Sequence, residues 1–148
     1  MATLEEMLDV RDRSVIVTGG ASGIGRAYAE VMADNGARVC IFDLNSTQLD
    51  SVVAELRVNG GDVWGQVVDA ADRSRMKEAF DAVAERHGRI DVFFANAGID
   101  AGPSFLSTTG GRIPEGAIDV PDNHNWDWII EVNLMATFHR PCMAGRSR

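Results

Sequence analysis

Four short apolar runs alternate with segments of helical period along this chain. Residues 14–17 (SVIV) form the first run. Ile24, Ala27, Tyr28, Val31 and Met32 follow at i, i+3, i+4, i+7 and i+8, the spacing of one helix face, and Gly36 closes that segment. Residues 37–42 (ARVCIF) form the second run. Asn45 stands three residues before Gln48, as at the start of a capping box. Leu49, Val52, Val53 and Leu56 then give a second stripe, which ends at Asn59-Gly60-Gly61. Residues 62–68 (DVWGQVV) are the third run. Met76, Ala79, Phe80 and Val83 mark a third helix ending at Gly88, and residues 90–95 (IDVFFA) are the fourth run.

The runs are apolar throughout rather than alternating, as expected of strands buried on both faces of a parallel sheet. Strand, helix and strand repeated with short loops predict right-handed crossovers and an α/β fold with a doubly wound parallel sheet. From 99 to 121 the rhythm stops and Gly and Pro accumulate. A loop of that length is uncommon inside a compact domain, and it leaves the fourth run at the strand end where open α/β sheets bind ligands. Asp122 is placed to cap one more helix, with an inner stripe of Trp126, Ile129, Ile130, Asn133, Leu134 and Thr137.

Composition narrows the function classes. The chain has 148 residues, which is one domain by size, and its 45% apolar and 24% charged residues are ordinary for a globular protein. A net charge of −8 argues against nucleic acid and anionic membrane surfaces as partners. No apolar run approaches the roughly 18 residues of a membrane span. The N-terminal stretch is too acidic for a signal peptide. Cys40 and Cys142 make neither a disulfide framework nor a metal spacing, and Cys40 reads as a core residue. No metal site is expected, and the expected compartment is the cytoplasm.

The chemistry concentrates in VTGGASGIG, residues 17–25, between the first run and the first helix. Gly19, Gly23 and Gly25 remove side chains where the backbone would turn tightly against a pyrophosphate. Ser22 and Ile24 complete the loop, and the helix that follows presents N–H groups to phosphates. Asp43 ends the second run, where a carboxylate can accept hydrogen bonds from an adenosine ribose and would repel a 2′-phosphate. Ser22 brings no charge and Arg26 lies inside the helix, so the cofactor predicted is NAD rather than NADP. Ser104, Ser107 and His124 lack the context of a hydrolase triad. His87 reads as a cation at a helix C-terminus, and Trp126 and Trp128 as packing residues.

Thr18-Gly19-x-x-x-Gly23-x-Gly25 resembles the TGxxxGxG motif of the short-chain dehydrogenase/reductase family of Rossmann type. Asn96-Ala97-Gly98 is similar to that family's NAG motif. Asp69 matches the acid that contacts the adenine amine, with Ala70 in place of a larger apolar neighbour. Asn133, in VNL, matches the asparagine of the family's Asn-Ser-Tyr-Lys tetrad. The resemblance covers about residues 12 to 138. It implies a Rossmann sheet in strand order 3-2-1-4 and NAD-dependent hydride transfer between an alcohol and a carbonyl. It also implies a role for Asn133 in holding a proton-relay water. Read from the residues alone, Asn133 is an amide in an apolar stripe that local backbone could equally satisfy.

The family's Tyr-x-x-x-Lys pair does not occur here. The one tyrosine is Tyr28 and the one lysine is Lys77. Residues 139–148 hold three Arg, one Pro and no acid, which is expected of a frayed tail or of a shifted or shortened coding sequence. The expected protein is a truncated NAD-binding half-domain over 1–138. It would bind NAD, would serve an alcohol or carbonyl substrate only in a parent enzyme, and would lack acid/base chemistry of its own. Self-association through the fourth strand is also expected. The alternatives are a non-catalytic NAD-binding or partner-binding module, and an unproductive fragment.

Overall fold

A computed structural model describes residues 3, 8–100, 111 and 123–138. Residues 101–110 and 112–122, which hold most of the predicted loop with Ser104, Ser107 and Asp122, lie outside the described residues, as do residues 139–148 with Cys142. The side chain of His124 does too. Four strands, β1 (Ser14–Thr18), β2 (Arg38–Asp43), β3 (Asp62–Val67) and β4 (Val92–Phe94), form one parallel sheet in the order β3-β2-β1-β4. That is the predicted order. Between them run α1 (Gly23–Asp34), α2 (Ser46–Val58) and α3 (Arg73–His87). A final helical segment begins as α4 (Asn123–Ile130), passes through a π-helical turn at Glu131–Met135, and ends at Ala136–Phe138.

The central strands are buried on both faces, as their unbroken apolar runs require. On one face Val15, Val17, Val39, Ile41 and Val63 pack with Ala29 and Ala33 of α1 and with Leu49, Val52 and Leu56 of α2. On the other, Ile16, Cys40 and Phe42 pack with Met76, Ala79, Phe80 and Val83 of α3. The predicted terminators also hold. Asn45 caps α2 by accepting from the Gln48 N–H at 3.1 Å, and Gly88 ends α3 in the left-handed region at φ 77°.

Three expectations are overturned. The buried face of α1 is Gly25, Ala29 and Ala33, while Ile24, Tyr28 and Val31 are 69%, 41% and 59% exposed. The cause is close approach. A Cβ at Gly25 would lie 2.2 Å from the Gly19 carbonyl oxygen, so only small residues can face the sheet and the bulky ones turn to the flanks. Tyr28 lies flat on Phe94 of β4, with ring centroids 4.7 Å apart.

The stripe of the last segment fails as well. Val132 and Ala136 are buried, Ile129 and Ile130 are half-buried, and Trp126, Trp128, Asn133, Leu134 and Thr137 are exposed. The π turn at Glu131–Met135 interrupts the 3.6 period within that stripe, downstream of Trp126, Ile129 and Ile130. Neither tryptophan is a packing residue.

His87 is not a surface cation. It is buried, and its Nδ1 lies 2.8 Å from the Ser14 hydroxyl. Burial, reinforced by Arg38 and Arg86 and opposed by Asp62, pushes the imidazole below its ordinary value. The folded state therefore favours neutral His87. As pH falls through about 6.5, the unfolded histidine protonates first, and the stability held by the neutral ring is lost from there downward. Urea midpoints from pH 8 to 5 are expected to fall more for the wild type than for His87→Gln, which cannot titrate. Parallel curves would contradict this.

Candidate functional site

The C-terminal ends of the strands open into a cleft of about 470 Å³. One wall is Thr18, Gly19, Ser22, Gly23 and Ile24, from the turn between β1 and α1. Phe42, Asp43 and Leu44 close it at the end of β2, and Val68, Asp69 and Ala70 follow from β3. Asn96, Ala97, Gly98 and Ile99 come from β4, and Trp128 and Val132 from the last helical segment. Ten of the predicted binding residues thus line one cavity. Gly25 is buried beneath it, and Asn133 stands beside it.

The glycine turn is shaped by tertiary contacts as much as by its own freedom. Gly19 and Gly23 have φ of 64° and 53°, where other L-residues are strained. Nothing lies within 4 Å of a Cβ built at Gly23, so the backbone is bare on that side. Ser22 precedes α1 without bonding any of its N–H groups through the side chain, so the first turn keeps its donors. Together with the seat under Gly25, these features fit a phosphate-bearing group.

Thr18 and Asn96 lock this turn to β4. The Thr18 hydroxyl accepts from the N–H groups of Asn96 and Ala97, each at 3.1 Å. The Asn96 side-chain amide donates to the carbonyls of Thr18 at 3.1 Å and Gly19 at 3.3 Å. Asp43 ties the turn to β2. One carboxylate oxygen accepts from the Ala21 N–H at 3.0 Å and the other from the Asn45 N–H at 2.9 Å. The capping box read from Asn45 and Gln48 is therefore shared, with Asp43 binding the N–H of Asn45. Asp69 accepts from the Ala71 N–H at 2.9 Å, which folds the turn before α3 beside Ala70.

Asn133 is exposed rather than buried in a stripe, and its amide is satisfied by backbone. Its Oδ1 accepts from the Ile99 N–H at 2.8 Å and its Nδ2 donates to the Ile99 carbonyl at 2.9 Å. A Cβ at Gly98 would come within 3.2 Å of that Oδ1, so a bare residue permits the clamp. Tyr28 and Lys77 do not line the cleft. Tyr28 stacks on Phe94, and Lys77 is paired with Asp81 on α3.

Leu44, Val68 and Ile99 carry no site reading in the sequence, and Trp128 reads there as a packing residue. Leu44 and Val68 directly adjoin Asp43 and Asp69, so strand-end apolar residues were a usable signal. Nothing local marks Trp128, which reaches the cleft through the placement of the last helix.

No helix among the described residues is long and apolar enough to cross a membrane. The family profile described as short chain dehydrogenase matches residues 13–144. Among curated proteins, the chain is 36% identical over 129 residues to the uncharacterized oxidoreductase YxbG of Bacillus subtilis, covering 87% of this chain and 43% of that one. It is 36% identical over 124 residues to 3-oxoacyl-[acyl-carrier-protein] reductase FabG of Thermotoga maritima, covering 84% and 45%. The chain therefore spans under half the length of these relatives. Among solved structures, it superposes on a short chain dehydrogenase/reductase from Burkholderia phymatum in complex with NAD. That match has a TM-score of 0.79 and 27% identity, over 93% of this chain and 44% of the other. With the β3-β2-β1-β4 sheet and the glycine turn over its strand ends, these matches place the chain in the short chain dehydrogenase family.

Proposed function

We propose that this chain binds NAD in the cleft above β1 and β2 and is the cofactor-binding half of an alcohol- or carbonyl-directed dehydrogenase. The observation that carries this reading is the meeting of the bare glycine turn with Asp43 and with Asn96–Gly98 around one cavity. When bound, a nicotinamide cofactor supplies hydride donor and acceptor chemistry. The chain's own residues do the holding. Ser22, Gly23 and Ile24 would receive the pyrophosphate on backbone N–H groups, beside Gly19 and over the seat that Gly25 leaves clear. Asp43 would accept from the adenosine ribose, Asp69 and Ala70 would border the adenine, and Asn96, Ala97 and Gly98 would border the nicotinamide side. Asn133 would fix the backbone at Ile99, next to where a proton relay would run in a longer relative.

A carboxylate at Asp43, with no cation among the described residues of the cleft wall, disfavours a 2′-phosphate. Calorimetry is expected to show NAD bound at least about tenfold more tightly than NADP, or roughly 1.4 kcal/mol. Equal or tighter NADP would remove Asp43 from the ribose site. β4 ends the described sheet and pairs only with β1, which supports self-association through the fourth strand as part of the same proposal.

A further inference from the structure

We propose that Asp43 is a positioning residue that holds the glycine turn in its phosphate-receiving shape before any cofactor arrives. This deepens the NAD reading and rests on it.

The turn between β1 and α1 is fastened to the end of β2 at two points. The Gly19 N–H donates to the Phe42 carbonyl at 2.8 Å, and the Ala21 N–H donates to the Asp43 carboxylate at 3.0 Å. Gly20 between them lies so close to β2 that a Cβ would sit 2.7 Å from Ile41 Cγ2. Only Ser22 separates Ala21 from the first residue of α1. Fixing Ala21 therefore fixes where that helix begins and where its first-turn N–H groups point. Ser22 makes no side-chain cap that would do this instead.

The same residue gathers the other loops. Its second oxygen accepts from Asn45, and the Asp43 carbonyl accepts from the Val68 N–H at 3.1 Å. One half-buried residue thus joins the turns after β1, β2 and β3. The chemistry requires a carboxylate. Two backbone donors need two acceptor oxygens, and each oxygen keeps a further lone pair for a ribose hydroxyl. An amide has one acceptor and would turn its own NH2 toward the other donor.

This gives a test with opposite signs. If Asp43 only contacts ribose, Asp43→Asn removes a negative charge from an anion site and should tighten a phosphate ligand that lacks ribose hydroxyls. If Asp43 holds the turn, the same change should weaken that ligand by about tenfold, the scale of one charge-assisted hydrogen bond. The probe is 2′,3′-dideoxy-ADP, titrated by calorimetry into the full chain and into Asp43→Asn.

The companion measurement needs no ligand. Amide hydrogen exchange should show Ala21 protected in the wild type and fast in Asp43→Asn, with Val15, Ile16 and Val17 of β1 still protected. Unchanged exchange at Ala21, loss of β1 protection together with Ala21, or tighter dideoxy-ADP would each overturn the proposal. Exchange that behaves as expected, with a wild type that binds NAD but no dideoxy-ADP, would confirm the clamp and overturn its phosphate role alone, and a wild type that binds neither would overturn the NAD reading as well.

Discussion

Gly25→Ala is expected to unfold the cofactor site and to destabilise the chain by about 3 kcal/mol, the upper end of the overpacking range. The added Cβ would meet the Gly19 carbonyl oxygen at 2.2 Å, the Gly19 carbonyl carbon at 2.8 Å and the Asn96 amide nitrogen at 2.4 Å. The first two are backbone atoms and cannot rotate away. The third is held by two carbonyls, so moving it breaks the lock between β1 and β4. Either α1 lifts off the sheet, uncovering Ala29 and Ala33, or the glycine turn shifts and loses its shape. Gly23→Ala is the control. It has the positive φ of 53° but open space for a Cβ, so its cost is backbone strain alone, about 1–2 kcal/mol. Urea melts of both variants check the order, and a Gly25→Ala midpoint at or above that of Gly23→Ala would contradict the packing argument.

The second large effect is on chemistry. The chain alone is expected not to turn over alcohols or ketones at rates typical of dehydrogenases, even with NAD bound. General acid/base catalysis commonly contributes about 10²–10⁴-fold and needs a proton donor within hydrogen-bond reach of the substrate oxygen. Tyr28 is occupied against Phe94, Lys77 is on α3, and neither lines the cleft. Asn133 has both ends of its amide committed to Ile99. Spectrophotometric assay of NADH formation over a panel of alcohols checks this, with Asn133→Ala alongside. Robust turnover abolished by Asn133→Ala would show that this chain holds a complete proton path.

The parts legible in the sequence are those set by local period and local stops. Unbroken apolar runs gave four parallel strands, of which the central β1 and β2 are buried, and Asn45 starts α2 and Gly88 stops α3 where side chain or backbone freedom dictates. The residues that line the cleft were legible because loops at the ends of consecutive parallel strands must converge. What stayed hidden depends on distances between elements. The apolar spacing of Ile24, Tyr28 and Val31 is a sound helix signal, yet the close seat of Gly25 reverses which face is buried. The π turn at Glu131–Met135 leaves no mark in a 3.6-residue period, so Asn133 was assigned to the wrong face. His87 has the spacing of a helix-end cation, and its burial, with its ring against Ser14 73 positions away, appears only in the folded chain. Asp43 reads from the sequence as a ribose acceptor that repels a 2′-phosphate, while its two bonds to backbone N–H groups require the folded turn.

The central claim is that the glycine turn, Asp43 and Asn96–Gly98 form one nicotinamide-dinucleotide site. Amide shift mapping by NMR, on the isotope-labelled chain titrated with NAD, tests it most directly. The expected result is saturable movement confined to Gly19–Gly25, Asp43–Leu44, Val68–Ala70 and Asn96–Ile99, with the amides of α3 from Met76 to Arg86 unmoved. No movement at saturating NAD, or movement centred away from these strand ends, would contradict the account.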